Sequence, residues 1–131
     1  MMTKEQHIEY WVNTAQYDWS GAEEAFNITK RYLHCLFWAH LTLEKLAKAH
    51  WVKNNIENIP PKVHNIHWLL EQSNIDLGEE TMNFLVDFND FQLEGRYPDY
   101  TNNIYNMCTK EFTRDKLEKI KEIRQCLIEM L

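Results

Sequence analysis

The chain has 131 residues, a net charge of −6, and only three glycines and three prolines. That length supports one domain with a core of its own, and the scarcity of turn residues favours long helices over many short strands. The acidity argues against an unaided grip on duplex DNA, and no run of about 18 uncharged apolar residues is present to span a membrane.

Thr3 followed by Gln6 predicts a capping box at the start of a first helix. Ile8, Val12, Ala15, Trp19, Ala22 and Phe26 then recur by fours and threes, an apolar seam of about six turns. Gly21 lies within it, where a closely approaching neighbour would explain the missing side chain. A short turn is expected near Asn27–Thr29, giving an antiparallel helix pair.

Arg31–Lys53 reads as one long helix, apolar over more than half its circumference through Leu33, Leu36, Phe37, Leu41, Leu43, Leu46 and Ala47. Such a helix needs neighbours on several sides and is expected at the centre of a bundle. Its polar members His40, Glu44, Lys45 and Lys48 are not needed for packing. Glu44 and Lys48 form an i, i+4 pair in the favoured order, either a surface pair or a charge pair on the seam that faces the core.

Asn54–Asn55 should end this helix, and Ile59-Pro60-Pro61 is the clearest break. Helical spacing resumes over Val63–Gln72. Another helix follows from Glu79–Glu80 and carries Met82, Leu85, Phe88 and Phe91, until Gly95-Arg96-Tyr97-Pro98 stops it. Asp99–Cys108 fits a short helix. A last helix, capped by Thr113 or Thr109, carries Leu117, Ile120, Ile123, Leu127, Ile128 and Leu131. With no β-alternation and no internal repeat, the expected fold is all-α, an up-and-down bundle of about five helices in a single domain over residues 1–131.

The charge is uneven. Residues 56–110 hold nine acidic and three basic residues, which places the whole −6 there. Three cysteines without CxxC spacing suggest buried free thiols in a reducing compartment, and MMTKEQHIEYW lacks the apolar run of a signal peptide; both point to a cytoplasmic protein. His64 and His67 share a helix face by spacing, but no further ligand motif accompanies them, so no metal site is expected. No nucleophile motif and no phosphate-cradling glycine loop is present, so no catalytic residue and no cofactor is assigned. Arg96-Tyr97-Pro98-Asp99-Tyr100 is the most loop-like motif, where an arginine could fork onto a phosphate and tyrosines could stack on a base. The five tryptophans, Trp11, Trp19, Trp38, Trp51 and Trp68, suit a core or a homodimer seam.

Taken together, Asp18 with Ala22 and Ala25, Tyr32, Phe37-Trp38-Ala39-His40, Leu43-Glu44-Lys45-Leu46-Ala47-Lys48-Ala49, Pro61-x-x-His64-x-x-x-x-Leu69 and Arg96-Tyr97-Pro98 resemble the HEPN domain (higher eukaryotes and prokaryotes nucleotide-binding domain) over nearly the whole chain. The resemblance implies a compact helical bundle that commonly dimerises and is associated with nucleotides or RNA. It also implies a nucleotidyltransferase-type partner in a toxin–antitoxin-like pair. Several HEPN branches are metal-independent ribonucleases with an Arg-x4-6-His motif. Here Thr101, Asn102 and Asn103 stand at the positions after Arg96 where that histidine would fall.

The expectation is therefore a binding module. Arg96 and Lys48 would take phosphate, Tyr97 or Tyr100 would stack, and Glu44 and His64 would lend polar support. The alternatives are a purely structural dimeric scaffold, or an unconventional ribonuclease using His40 or His64.

Overall fold

The computed structural model describes residues 1–92 and 98–131, the side chains of residues 98–102 excepted. Its order is α1 (Lys4–Glu24), a π-helical turn (Ala25–Thr29), α2 (Tyr32–Asn54), α3 (Ile66–Glu71), α4 (Glu79–Phe88), a 3-10 turn (Asn89–Phe91), α5 (Pro98–Met107) and α6 (Lys110–Glu129). The all-α expectation holds, with six α-helices among the described residues rather than five. Among the described residues no helix is long and apolar enough to cross a membrane.

Thr3 caps α1 as expected. Its hydroxyl accepts from the Gln6 amide at 3.1 Å, and the Gln6 side chain accepts from the Thr3 amide at 2.8 Å. The seam of α1 faces inward, with Ala15, Trp19 and Ala22 buried. Gly21 lies beneath Trp38: a Cβ there would stand 3.3 Å from the indole, so the glycine permits the close crossing of α1 and α2.

The reversal expected near Asn27–Thr29 comes one residue past it: the helix widens over Ala25–Thr29 into a π-turn and reverses at left-handed Lys30, φ 59°. The next amide, of Arg31, donates back to Ala25 O at 3.0 Å. Lys4 Nζ binds Val52 O and Asn55 O at 2.7 and 2.8 Å, so the start of α1 caps the end of α2 and the pair is antiparallel.

α2 is the centre of the bundle. Fourteen of its 23 residues are buried, and it packs against α1, α3, α5, α6 and the 3-10 turn. Fully buried Leu36, Leu43, Leu46, Ile66, Leu69, Leu70, Leu85, Ile120 and Leu127 form the core. Each contributes about 1.5–3 kcal/mol by leaving water. α6 runs alongside α2 in the same direction: His50 Nε2 donates to Leu127 O at 2.7 Å and Lys53 Nζ to Met130 O at 2.9 Å. Both bonds fill carbonyls at the end of α6 that have no helical partner.

Two boundaries differ from expectation, and a third is settled between the two caps expected for α6. α3 is shorter than Val63–Gln72, because the Asn65 side chain accepts from the Trp68 amide at 3.0 Å and starts the helix there. Thr109, not Thr113, caps α6, accepting from Phe112 N at 3.1 Å. α4 gives way at Asn89 to the 3-10 turn that buries Phe91. The tryptophans divide: Trp19 is buried, Trp11, Trp38 and Trp51 are partly buried, and Trp68 is exposed. Of the cysteines, Cys35 and Cys108 are buried but Cys126 is exposed, against the expectation of three buried thiols.

Candidate functional site

His40, Glu44 and Lys48 recur every four residues on α2 and therefore rise along one face. The loop before α3 crosses that face. Pro60 and Pro61 cannot extend α2, and the chain they redirect carries His64 over Glu44. The Glu44 carboxylate, 4% exposed at its side chain, accepts from Lys48 Nζ at 3.0 Å. It also accepts from His64 Nδ1 at 3.1 and 3.2 Å. His40 Nδ1 lies 3.8 Å away on the same carboxylate, while its Nε2 sits 3.2 Å from Asn89 Oδ1 and its ring packs 5.6 Å from that of Phe88.

The cluster is a desolvated charge pair between two imidazoles. An ionised carboxylate in such a place is tolerated only when its oxygens are bonded, and here both are. From α1, the Trp11 ring covers the ammonium of Lys48 at 5.4 Å, a cation–π contact that replaces lost water. Side-chain exposure rises from 0% at His40 through 4% at Glu44 and 9% at Lys48 to 41% at His64. His64 is thus the member that meets solvent. Glu44 accepts a hydrogen bond from His64 Nδ1, and that bond fixes the orientation of the ring on this face.

Not every expected residue joins this group. Lys48, expected at a phosphate, turns its ammonium inward to Glu44. His40, one of the two histidines considered for ribonuclease chemistry, is fully buried. His67 leaves His64 and pairs with Glu71 at 2.7 Å. Arg96 and Tyr97 lie outside the described residues, as does the side chain of Tyr100. Other polar groups hold the frame. Lys45 binds Asp18 at 2.7 Å between α2 and α1, and Arg124 binds Gln16 and stacks over the Trp19 ring at 5.2 Å. Burial pushes the His50 imidazole below its ordinary value, and it pushes the Cys35 thiol up to about 12 and that of Cys108 to about 11.

The family model of the HEPN domain matches residues 8–131. The chain belongs to the HEPN domain family. Neither a curated protein nor a solved structure matches it. Family membership makes the chain a module associated with nucleotides or RNA. Three of the stretches that carried the resemblance, those on α1, on α2 and around His64, meet in this HEPN domain. Glu44 and Lys48 meet His64 of the Pro61-x-x-His64 stretch, Leu69 of that stretch is core, and Lys45 meets Asp18 of α1. Sequence reasoning missed Asn89 and His50. Neither has a spacing signal, since their partners lie 49 and 77 residues away.

Proposed function

We propose that this HEPN domain binds a nucleotide or RNA through the face where His64 emerges from the Glu44 cluster. We further propose that it acts with a nucleotidyltransferase-type protein in a toxin–antitoxin-like pair. The observation that supports this most is the geometry at Glu44. A buried carboxylate fixes both a lysine and a half-exposed histidine, so the His64 ring is held in one orientation on this face. Arg96 takes phosphate in this reading, and Tyr97 or Tyr100 stacks on a base. The exposed acids Asp76, Glu79, Glu80, Asp87 and Asp90 suit a basic surface on the protein partner. A homodimer through the outer face of α1, where Tyr10 is exposed, belongs to the same proposal and is checked by light scattering. Co-purification of the two tagged proteins tests the pairing, and separate elution at micromolar concentration counts against it.

The Glu44–His64 pair also supports a second reading, a metal-independent ribonuclease. His64 would take the proton of a ribose 2′-hydroxyl, whose oxygen attacks the neighbouring phosphorus. The bond from phosphorus to the 5′-oxygen breaks, leaving a 2′,3′-cyclic phosphate and a 5′-hydroxyl protonated by an acid. Cellular RNA incubated with the wild-type, His64→Ala and Arg96→Ala proteins decides it: cleavage absent throughout, or unchanged in both variants, removes this reading.

A further inference from the structure

α4 and α6 line the two sides of a groove of about 610 Å³, within the size range of small-molecule sites. α4 lines it at positions 80, 83, 84 and 87, and α6 at positions 112, 115, 116 and 119. Both sets step by i, i+3, i+4 and i+7, so each is a single helix face. Aromatic rings form part of both walls. Phe84 stacks on Phe88 at 5.6 Å, Phe88 meets Phe91 at 5.3 Å, and Phe91 meets Phe112 at 6.1 Å. The inner two rings are core, and the outer two, partly buried, reach the groove. Phe84 and Phe112 are therefore held from behind, and no ligand has to order them.

One ammonium already uses both outer rings. Lys116 Nζ lies 5.3 Å from the Phe84 centroid and 5.4 Å from that of Phe112. Among the described residues no carboxylate stands within 4.0 Å of it, so the rings hold this cation rather than an ion pair. The carboxylates of the groove are left over. Glu80 and Asp87 are exposed and stand about one turn to either side of Phe84 on α4. Among the described residues neither has a cation within 4.0 Å. Asp115 has Arg114 at 3.8 Å, and the second lysine, Lys119, bonds Thr81 Oγ1 at 3.4 Å. Three carboxylates thus face two ammoniums, and the one ammonium between the rings satisfies none of them.

We propose that this groove binds an aliphatic polyamine. The Lys116 side chain shows which chemistry fits between the rings: a flexible carbon stem ending in an ammonium, the unit of which such ligands are built. A free polyamine displaces Lys116, seats one ammonium between Phe84 and Phe112, and reaches Glu80 or Asp87 with the next. The second contact is a charge-assisted hydrogen bond that a single ammonium at the rings does not make, which favours a polyamine over a monoamine. Neither Glu44 nor His64 lines the groove, so the site does not rest on the reading of the His64 face.

Calorimetric titration of the full chain with spermidine, magnesium chloride and tetralysine, at low ionic strength, tests this. Wild type is compared with Phe84→Leu, the double variant Glu80→Gln/Asp87→Asn, Lys116→Gln and Lys119→Gln, each checked for the helical circular dichroism of wild type. Spermidine binds wild type more tightly than magnesium, which carries charge without an apolar stem. Phe84→Leu weakens spermidine about threefold or more, and the exposed acid pair, whose loss leaves the core intact, about tenfold. Lys116→Gln strengthens it about threefold or more, because the rings are vacated. Lys119→Gln removes the same charge from the same groove without freeing a ring, and gains less. Five results overturn the proposal. Spermidine fails to bind wild type, or magnesium binds as tightly. Lys116→Gln gains no more than Lys119→Gln, which reduces the site to net charge. Spermidine binding is unchanged in both Phe84→Leu and the acid double variant. Tetralysine binds and spermidine does not, which makes the groove a protein-docking surface.

Discussion

Glu44 and His64, 20 residues apart in sequence, meet at 3.1 Å, with Lys48 on the other carboxylate oxygen at 3.0 Å. One buried anion therefore joins the central helix to the loop that opens α3, and removing it strands a buried ammonium. Glu44→Gln is expected to cost about 3 kcal/mol of folding free energy, because breaking a buried pair on one side costs more than the pair itself contributes. Glu44→Leu combined with Lys48→Met is expected to cost less than the sum of its single changes. Urea unfolding of wild type, Glu44→Gln, the two single variants and the double variant checks this; additive losses in the cycle would show that the two charges do not depend on one another.

His50 gives a pH dependence of stability. Its ring is buried and donates to Leu127 O, and burial holds its folded pKa below the ordinary 6.5. Between those two values the unfolded chain binds more protons than the folded one. The contribution of His50 is therefore complete above about pH 6.5 and is lost progressively as pH falls toward the folded value. His50→Gln keeps a donor near the same carbonyl without a titrating ring. Its stability should fall less than that of wild type between pH 7 and pH 5 in thermal unfolding. Equal slopes would remove His50 from the account.

The cysteines should separate kinetically. Cys126 is exposed, whereas Cys35 is fully buried and its thiol is pushed up to about 12, with Cys108 at about 11. Only a thiolate reacts, so a thiol reagent at pH 8 should label one cysteine quickly and the other two only when the chain opens. Mass spectrometry of the labelled peptides reads the order. Rapid labelling of Cys35 would contradict the packing of α2 against α5.

The architecture was legible in the sequence where periodicity carries it. The α1 seam, the all-round apolar character of α2, and the inward face of α6 at Ile120, Ile123 and Leu127 all follow from spacing alone. Boundaries were less legible, because they hang on single side chains. Asn65 delays α3, Thr109 wins over Thr113, and nothing in Ala25–Thr29 announces a π-turn rather than a break. The site was half legible. Glu44, Lys48 and His64 could be singled out by type, but whether the pair faced water or the core depended on where Pro61 would send the chain.

The most direct measurement of the central claim, that this HEPN domain binds a nucleotide or RNA at the His64 face, is a tryptophan fluorescence titration. Trp11 lies over Lys48, whose ammonium binds Glu44, so it reports on the cluster. ATP, GTP and short single-stranded RNAs are added to the wild-type and His64→Ala proteins. The account predicts a saturable change with at least one ligand, weakened about tenfold in His64→Ala. No saturable change with any of them, or one that His64→Ala leaves intact, would contradict it.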